Sequence, residues 1–189
     1  MEIQRRELVI MTSCGKKYMG GIDIPTTSMR TTDLLNSSSI FWRNPNDKCF
    51  DNAILMYDAK LVLDENAVYK RFNKIQIKIS EIIFFYDDQF EIGDVGEKSR
   101  AVSMREKSQE EMQKVNIITP IIANSFYDIS GKFYGLFKKK SHDKFIPLFD
   151  ASILEIQKNQ DRWAKKNIKI AYNFLGISSR YIEALTFEE

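Results

Sequence analysis

Two stretches of this chain consist of strand-like runs of apolar residues rich in β-branched and aromatic side chains, and a polar stretch separates them. The first runs from Ile54 to Asp88 and begins ILMYDAKLVL, and the second includes IPLFDASILE at 146–155. Runs of this composition, bounded by turn-forming residues, predict β-strands. Residues 91–114 carry few large apolar side chains, which predicts a polar linker between two β regions.

The two β regions match each other. The aligned segments are ILMYDAKLVL at 54–63 with IPLFDASILE at 146–155, and FNKIQIKISEI at 72–82 with YNFLGISSRYI at 172–182. Self-similarity of this kind predicts two copies of one structural unit. Asp58 and Asp150 are then expected at equivalent points, each ahead of a bend in its strand.

The first copy has the element order of a small barrel. Its predicted strands lie at 7–13, 17–24, 53–63, 68–77 and 82–86, with a short helical turn through Leu35 and a tight turn at 78–81. About five short strands with this spacing are typical of small SH3-like and Sm-like barrels. The predicted fold is therefore mainly β, with two tandem SH3-like/Sm-like barrels at 1–90 and 115–189, the polar linker at 91–114 and short helical insertions.

The second copy is more diverged. We expect its first hairpin to turn around 128–131, its long strand to span 145–156 and its closing strands to lie at 168–175 and 181–187. The insert QKNQDRWAKKN at 157–167 is longer than its counterpart in the first copy and is a helix candidate.

Composition narrows the class of protein. The chain has 189 residues, 43% of them hydrophobic, and a net charge of +2, so it can bury cores without a strong basic excess. The segment at 115–189 is mildly basic, with 11 Lys and Arg against 8 Asp and Glu. Two separated cysteines and no apolar run of the roughly 20 residues that cross a bilayer favour a cytoplasmic protein with no membrane span.

The first copy resembles a bacterial family of small domains of unknown function. The resemblance covers about residues 1–88 and includes the hairpin ELVIMTSCGKKYMGGIDIP, the loop RTTDLLN at 30–36 and the strand with Asp58-Ala59. In that family an R-x-x-D-x-L-N loop lies between a G-x-I hairpin and a strand that ends in an acidic or polar residue followed by Ala. The resemblance implies the architecture and no particular chemistry.

More widely, ILMYDAKLVL and KISEIIFFY are similar to the strands of the two Sm-like motifs. The Arg-Gly or Lys-Gly pair that helps to form the RNA pocket of Sm-like proteins is Lys78-Ile79 in the first copy and Ser178-Ser179 in the second. The barrel resemblance is unaffected by this departure, whereas the implied RNA binding is weakened.

Catalytic chemistry has little support in the sequence. His142 is the only histidine and lies in the polar segment KKKSHDK, and Cys14 lies at a turn beside Lys16 and Lys17 without a second catalytic partner. A zinc site or a nucleophile–histidine pair needs more such groups. The acidic pairs fall at strand ends and turns, and no nucleotide-binding glycine motif is present. We therefore predict a protein that is not an enzyme and has no cofactor or metal.

Two sets of residues are candidates for contacts. The apolar set is Ile40, Phe41 and Trp42, which either covers one end of the core or forms a protein contact. The basic set in the second copy is Lys138, Lys139, Lys140, Lys144, Trp163, Lys165 and Lys166, which either is solvated or binds phosphate and a stacked base. We expect a scaffold, adaptor or regulatory subunit with a protein partner or self-association, and the alternative is an Sm-like RNA or nucleic-acid binder.

Overall fold

Antiparallel strands make up most of the chain. The computed structural model describes residues 4–24, 31–36, 52–63, 67–87, 112–134, 145–160, 162–170 and 174–188. The elements of the first half are β1 (Gln4–Thr12), β2 (Lys17–Ile24), α1 (Thr31–Asn36), β3 (Ala53–Val62), β4 (Val68–Lys78) and β5 (Ile82–Asp87). Those of the second half are β6 (Met112–Ile118), β7 (Ser125–Tyr134), β8 (Phe145–Asn159), β9 (Arg162–Ile168), β10 (Leu175–Ser178) and β11 (Ala184–Glu188). Short 3-10 turns, Ile79–Glu81 and Ser179–Tyr181, precede β5 and β11.

All eleven strands belong to one sheet with the order β11-β6-β7-β8-β10-β5-β1-β2-β3-β4, and β9 pairs with β8 beside this path. The mainly β prediction is confirmed. The sheet that the described strands form is not a closed barrel, and the two predicted tandem barrels are not confirmed. The reason lies in β5, which pairs with β1 on one side and uses its other edge for β10 of the second half.

Both halves use the same strand order. In the first half the order is β5-β1-β2-β3-β4, and in the second it is β11-β6-β7-β8 followed by β9 and β10, which pair with successive parts of β8. Asp58 and Asp150 both have a φ of 48°, and the neighbouring strand has a register shift at each point. The expectation of equivalent bends at these two residues is confirmed.

Glycine allows the two bends to pack closely. A Cβ on Gly20 would lie 2.7 Å from the carbonyl oxygen of Tyr57, and a Cβ on Gly131 would lie 3.2 Å from the carbonyl oxygen of Phe149. Each glycine therefore lets its strand approach the bent strand beside it, which is a known use of glycine within strands.

Most predicted elements of the first half are confirmed, and three in the second half were wrong. β7 runs straight through residues 128–131, and its hairpin with β6 turns instead at 119–124, where Ala123 and Asn124 have positive φ. The insert at 157–167 forms the end of β8 and β9 instead of a helix, with Gln160 in the turn. β9 ends at Ile168, so the strand predicted at 168–175 is replaced by β10.

Two apolar cores lie on the sheet, and each draws residues from both halves. The first-half core includes Leu34 and Leu35 of α1 together with Phe145 of β8. The second-half core includes Val9 of β1 and Ile83, Phe84 and Tyr86 of β5. Because the cores share residues across the junction, we expect the described halves to be stable only together.

Among the described residues, no helix is long and apolar enough to span a membrane. Residues 88–111, which include most of the predicted linker, lie outside the described residues, and β6 begins at Met112.

Candidate functional site

The junction between the two halves consists of β5 and β10. These strands are antiparallel, with Phe85 opposite Gly176 and Phe84 opposite Ile177. The main-chain pairing is only two residues long, so side chains on either side must supply much of the stability. At the junction, the edge strand of one half therefore pairs with an edge strand of the other half.

Aromatic side chains fill both faces of the junction. The Phe85 ring packs edge to face on Phe145, with centroids 5.4 Å apart. On the other face, the Phe84 ring packs edge to face on Tyr127, with centroids 5.0 Å apart. Such pairs add about 0.5–1.5 kcal/mol to the burial of the rings. Burial, with a smaller contribution from the charge of Glu155, raises the pKa of Tyr127 well above its ordinary value.

Polar contacts also hold the halves together. The side-chain amide of Asn36 donates to the carbonyl oxygen of Phe145 at 2.8 Å and accepts from its N–H at 2.7 Å. The amide thereby satisfies the backbone of β8 at its first residue, as a paired strand would. The hydroxyl of Tyr181 donates to the carbonyl oxygen of Ser80 at 2.7 Å, which joins the two 3-10 turns.

The sheet has free edges at β4, β9 and β11, each of which pairs with one strand among the described residues. Along β4, most side chains are exposed, and Tyr69 is 68% exposed. On β11, Phe187 is 46% exposed. Unpaired edges that carry exposed apolar groups are a template for pairing with another chain.

The charges of two of these edges are opposite. Four basic residues and no acidic one lie on β4, and they are Lys70, Arg71, Lys74 and Lys78. β11 carries Glu188 and no basic residue, and Glu183 immediately precedes it. The nearest basic residue to β11 in sequence is Arg180 of the preceding 3-10 turn. A long basic edge therefore lies at one end of the sheet and a short acidic edge at the other.

The structure brings together only part of the predicted basic set. Trp163 on β9 is 48% exposed, and its ring lies 5.6 Å from the Phe126 ring and 6.0 Å from Lys158 Nζ. Lys158 was not predicted, although it lies opposite Trp163 in the hairpin of β8 and β9.

The two predicted lysines of β9 lie on opposite faces of the sheet. Lys165 shares a face with Trp163, because both are odd-numbered positions of one strand, and Lys166 points to the other face. The remaining predicted contacts lie outside the described residues, and they are Lys138, Lys139, Lys140 and Lys144 with the apolar set Ile40, Phe41 and Trp42.

A second charged cluster, not predicted from the sequence, lies at the bend of β3. Arg5 Nε donates to Asp23 Oδ1 at 3.0 Å, and its guanidinium lies 4.3 Å from the centre of the Tyr57 ring. The hydrogen bond to Asp23 raises the pKa of Arg5, and burial raises the pKa of Tyr57. Arg5 also pairs with the exposed carboxylate of Asp58 at 3.2 Å. These contacts hold the charged side chains of the cluster against the bend of β3.

The thiol of Cys14 is a further reactive group among the described residues. Cys14 is exposed, and its thiol lies 3.2 Å from the hydroxyl oxygen of Thr12. In the part of the chain that the structure describes, no group of three or more His, Cys, Asp or Glu residues is placed to hold a metal ion.

The edges themselves could not be identified from the sequence, because edge position depends on which strands meet in three dimensions. The signal that was available is the contrast between basic VYKRFNKIQIK and acidic EALTFEE. Comparison of the chain with protein families, curated proteins and solved structures gives no match.

Proposed function

We propose that the chain is built from two copies of one small SH3-like/Sm-like β unit that have joined into a single open sheet. The shared strand order supports this proposal, as do the equal φ of 48° at Asp58 and Asp150. The 3-10 turns Ile79–Glu81 and Ser179–Tyr181, each just before the last strand of its half, support it further.

We further propose that the protein is a non-catalytic scaffold, adaptor or regulatory subunit that acts through protein–protein contacts at its sheet edges. The observation that carries this proposal is the open sheet, whose terminal strands β4 and β11 each have one described neighbour. An exposed edge binds an extended segment or a second sheet through main-chain hydrogen bonds, and side chains beside it give specificity.

The test is capture of partners by a tagged full-length chain, compared between edge variants and a matched control. Tyr69→Lys changes β4, and Phe187→Lys changes β11. Ile121→Lys is the control, because Ile121 is 64% exposed, as Tyr69 is 68% exposed, but lies in the turn between β6 and β7. We expect an edge variant to lose a partner that the control retains. Equal capture by all three variants would contradict the proposal.

A second candidate function is nucleic-acid binding by the second half. Its support is the exposed Trp163 ring with Lys158 beside it and Lys165 on the same face. Aromatic rings that stack bases next to lysines that bind phosphates are the usual elements of single-strand recognition.

The two candidates differ in their response to salt. Binding of nucleic acid weakens steeply as salt rises, with a slope of about −0.7 for each phosphate contacted on a single strand. Trp163→Ala should remove about 1–3 kcal/mol if a base stacks there. Purified protein whose absorbance at 260 nm shows co-purified nucleic acid, lost at high salt, would favour this candidate over the scaffold.

A further inference from the structure

We propose that copies of this chain associate head to tail, with β4 of one copy paired to β11 of the next in the register that β10 and β5 use within the chain. This inference rests on the proposed function and names the partner of the edges as a second copy. The template for the contact is present in the molecule, since one such edge-to-edge junction already joins its halves.

Strand pairing identifies which residues are equivalent. Ile77 of β4 lies opposite Ile54 of β3, and Ile177 of β10 lies opposite Ile146 of β8. The end of β4 therefore corresponds to β10. In the same way, Phe85 of β5 lies opposite Ile10 of β1, and Leu185 of β11 lies opposite Ile117 of β6. β11 therefore corresponds to β5, so the free edges β4 and β11 are of the same two kinds that meet at the internal junction.

The internal register can be transferred to these edges. Within the chain, Gly176 lies opposite Phe85, so between copies Gln76 would lie opposite Leu185. Likewise, Ile177 lies opposite Phe84 within the chain, so Ile77 would lie opposite Ala184 between copies. Leu185 and Ala184 are smaller than the phenylalanines at the equivalent positions of β5, so Gln76 does not need to be a glycine. Because less apolar surface is buried, the contact between copies should be weaker than the internal one.

Charge favours the pairing of β4 with β11 over the pairing of two β4 edges. One step further along the register, Lys78 lies opposite Glu183, and both side chains are exposed. Two β4 edges facing each other would bring eight basic residues together, which is four from each copy. Opposite charges across an interface speed encounter and select the partner, and like charges facing each other are costly.

The third free edge, β9, does not offer the same contact. It ends at Ile168, before the residues that correspond to Gln76 and Ile77, which in the second half lie in β10 and are already paired with β5. A head-to-tail contact leaves a free β4 at one end and a free β11 at the other. Assembly therefore continues past a dimer, either to a closed ring or to an open fibre.

The experiment uses purified full-length chains and a charge exchange. Lys78→Glu places Glu against Glu183, and Glu183→Lys places Lys against Lys78, so each variant should repel itself. Mixed in equal amounts, the variants can alternate, because every contact in the mixture then pairs a Lys with a Glu. Lys16→Glu is the control, since Lys16 is an exposed lysine in the turn between β1 and β2.

Sedimentation velocity over a range of concentrations gives the readout. We expect the wild type and Lys16→Glu to form species larger than a dimer, each single variant to need at least about tenfold more protein, and the mixture to recover the wild-type behaviour. Circular dichroism spectra and melting curves check that each variant is folded.

A wild-type chain that is monomeric at all concentrations, assembly that stops at a dimer, or a mixture without recovery would overturn the inference. The outcome is separable from that of the proposed function. If the purified chain does not assemble while Tyr69→Lys or Phe187→Lys still loses a captured partner, the edges serve a different protein. If neither holds, both proposals fail.

Discussion

Gly176 of β10 lies against the ring of Phe85 of β5, so closely that a Cβ on Gly176 would come within 2.3 Å of a ring carbon. This close packing lies where β10 pairs with β5 and joins the two halves of the sheet. The ring of Phe85 requires a glycine at position 176, whereas the backbone does not. Gly176 has no positive φ, and among the described glycines a positive φ occurs at Gly15. Side-chain shape at this pair therefore contributes to the packing of the halves, beside the main-chain and polar contacts of the junction.

The first prediction concerns this pair. Gly176→Ala should lower the free energy of unfolding by about 1–3 kcal/mol, because the ring of Phe85 must move in a packed core. Phe85→Leu alone should also destabilise, by leaving a cavity. In the double variant the two costs should not add, since the smaller Leu makes room for the methyl group. A double-mutant cycle measured by urea unfolding checks this, and additive costs would show that the two residues are not coupled.

The second prediction concerns the contact of α1 with β8. Asn36→Asp replaces the amide donor with an oxygen, so the carbonyl of Phe145 loses its partner while the N–H keeps one. We expect a loss of about 1–3 kcal/mol in the free energy of unfolding. Asn36→Ala should cost at least as much, because it removes both bonds. A melting temperature unchanged in both variants would mean that the clamp does not contribute.

The third prediction concerns the bends at Asp58 and Asp150, whose φ of 48° is unfavourable for branched side chains. Asp58→Gly and Asp150→Gly should leave stability nearly unchanged or raise it, and the corresponding Val variants should cost about 1–2 kcal/mol. Lys60→Val is the control, because Lys60 is in the same strand without positive φ. Equal costs for Val at positions 58 and 60 would contradict the account of the bend.

The fourth prediction concerns pH. The pKa of Tyr127 is raised from its ordinary value of 10.0, mainly by burial. The neutral phenol is thus favoured in the folded state, and its stabilising contribution is complete below pH 10.0 and lost as pH rises through the folded-state pKa. Above that ordinary value, wild-type stability should fall by up to about 1.4 kcal/mol per pH unit more than that of Tyr127→Phe. Parallel urea titrations of both proteins between mildly and strongly alkaline pH check this.

The first half of the fold could be predicted from the sequence because its local signals are strong. Gly15 marks the turn between β1 and β2. The equivalence of positions 58 and 150 was visible as a match between two segments of the sequence. Gly131 was misleading. It resembled a turn glycine, but its role is to let β7 pass close to Phe149, and the real turn uses Ala123 and Asn124.

The junction could not be predicted, because it depends on contacts distant in sequence. β10 is a strand of four residues, and nothing local indicates that it pairs with β5. The single open sheet could not be predicted for the same reason, since strand order within each half does not determine which edge remains free. Of the predicted basic set, Trp163 and Lys165 share a face of β9 in the structure. The edge positions of β4 and β11 emerged only from the sheet order.

The central claim, that β4 and β11 pair between copies, is tested most directly by amide hydrogen exchange of the purified chain at low and high concentration. Raising the concentration should slow exchange in β4 around Gln76 and Ile77 and in β11 around Leu185, while β9 exchanges as before. Slowing at β9 instead, or no change at either terminal strand while larger species form, would contradict the claim.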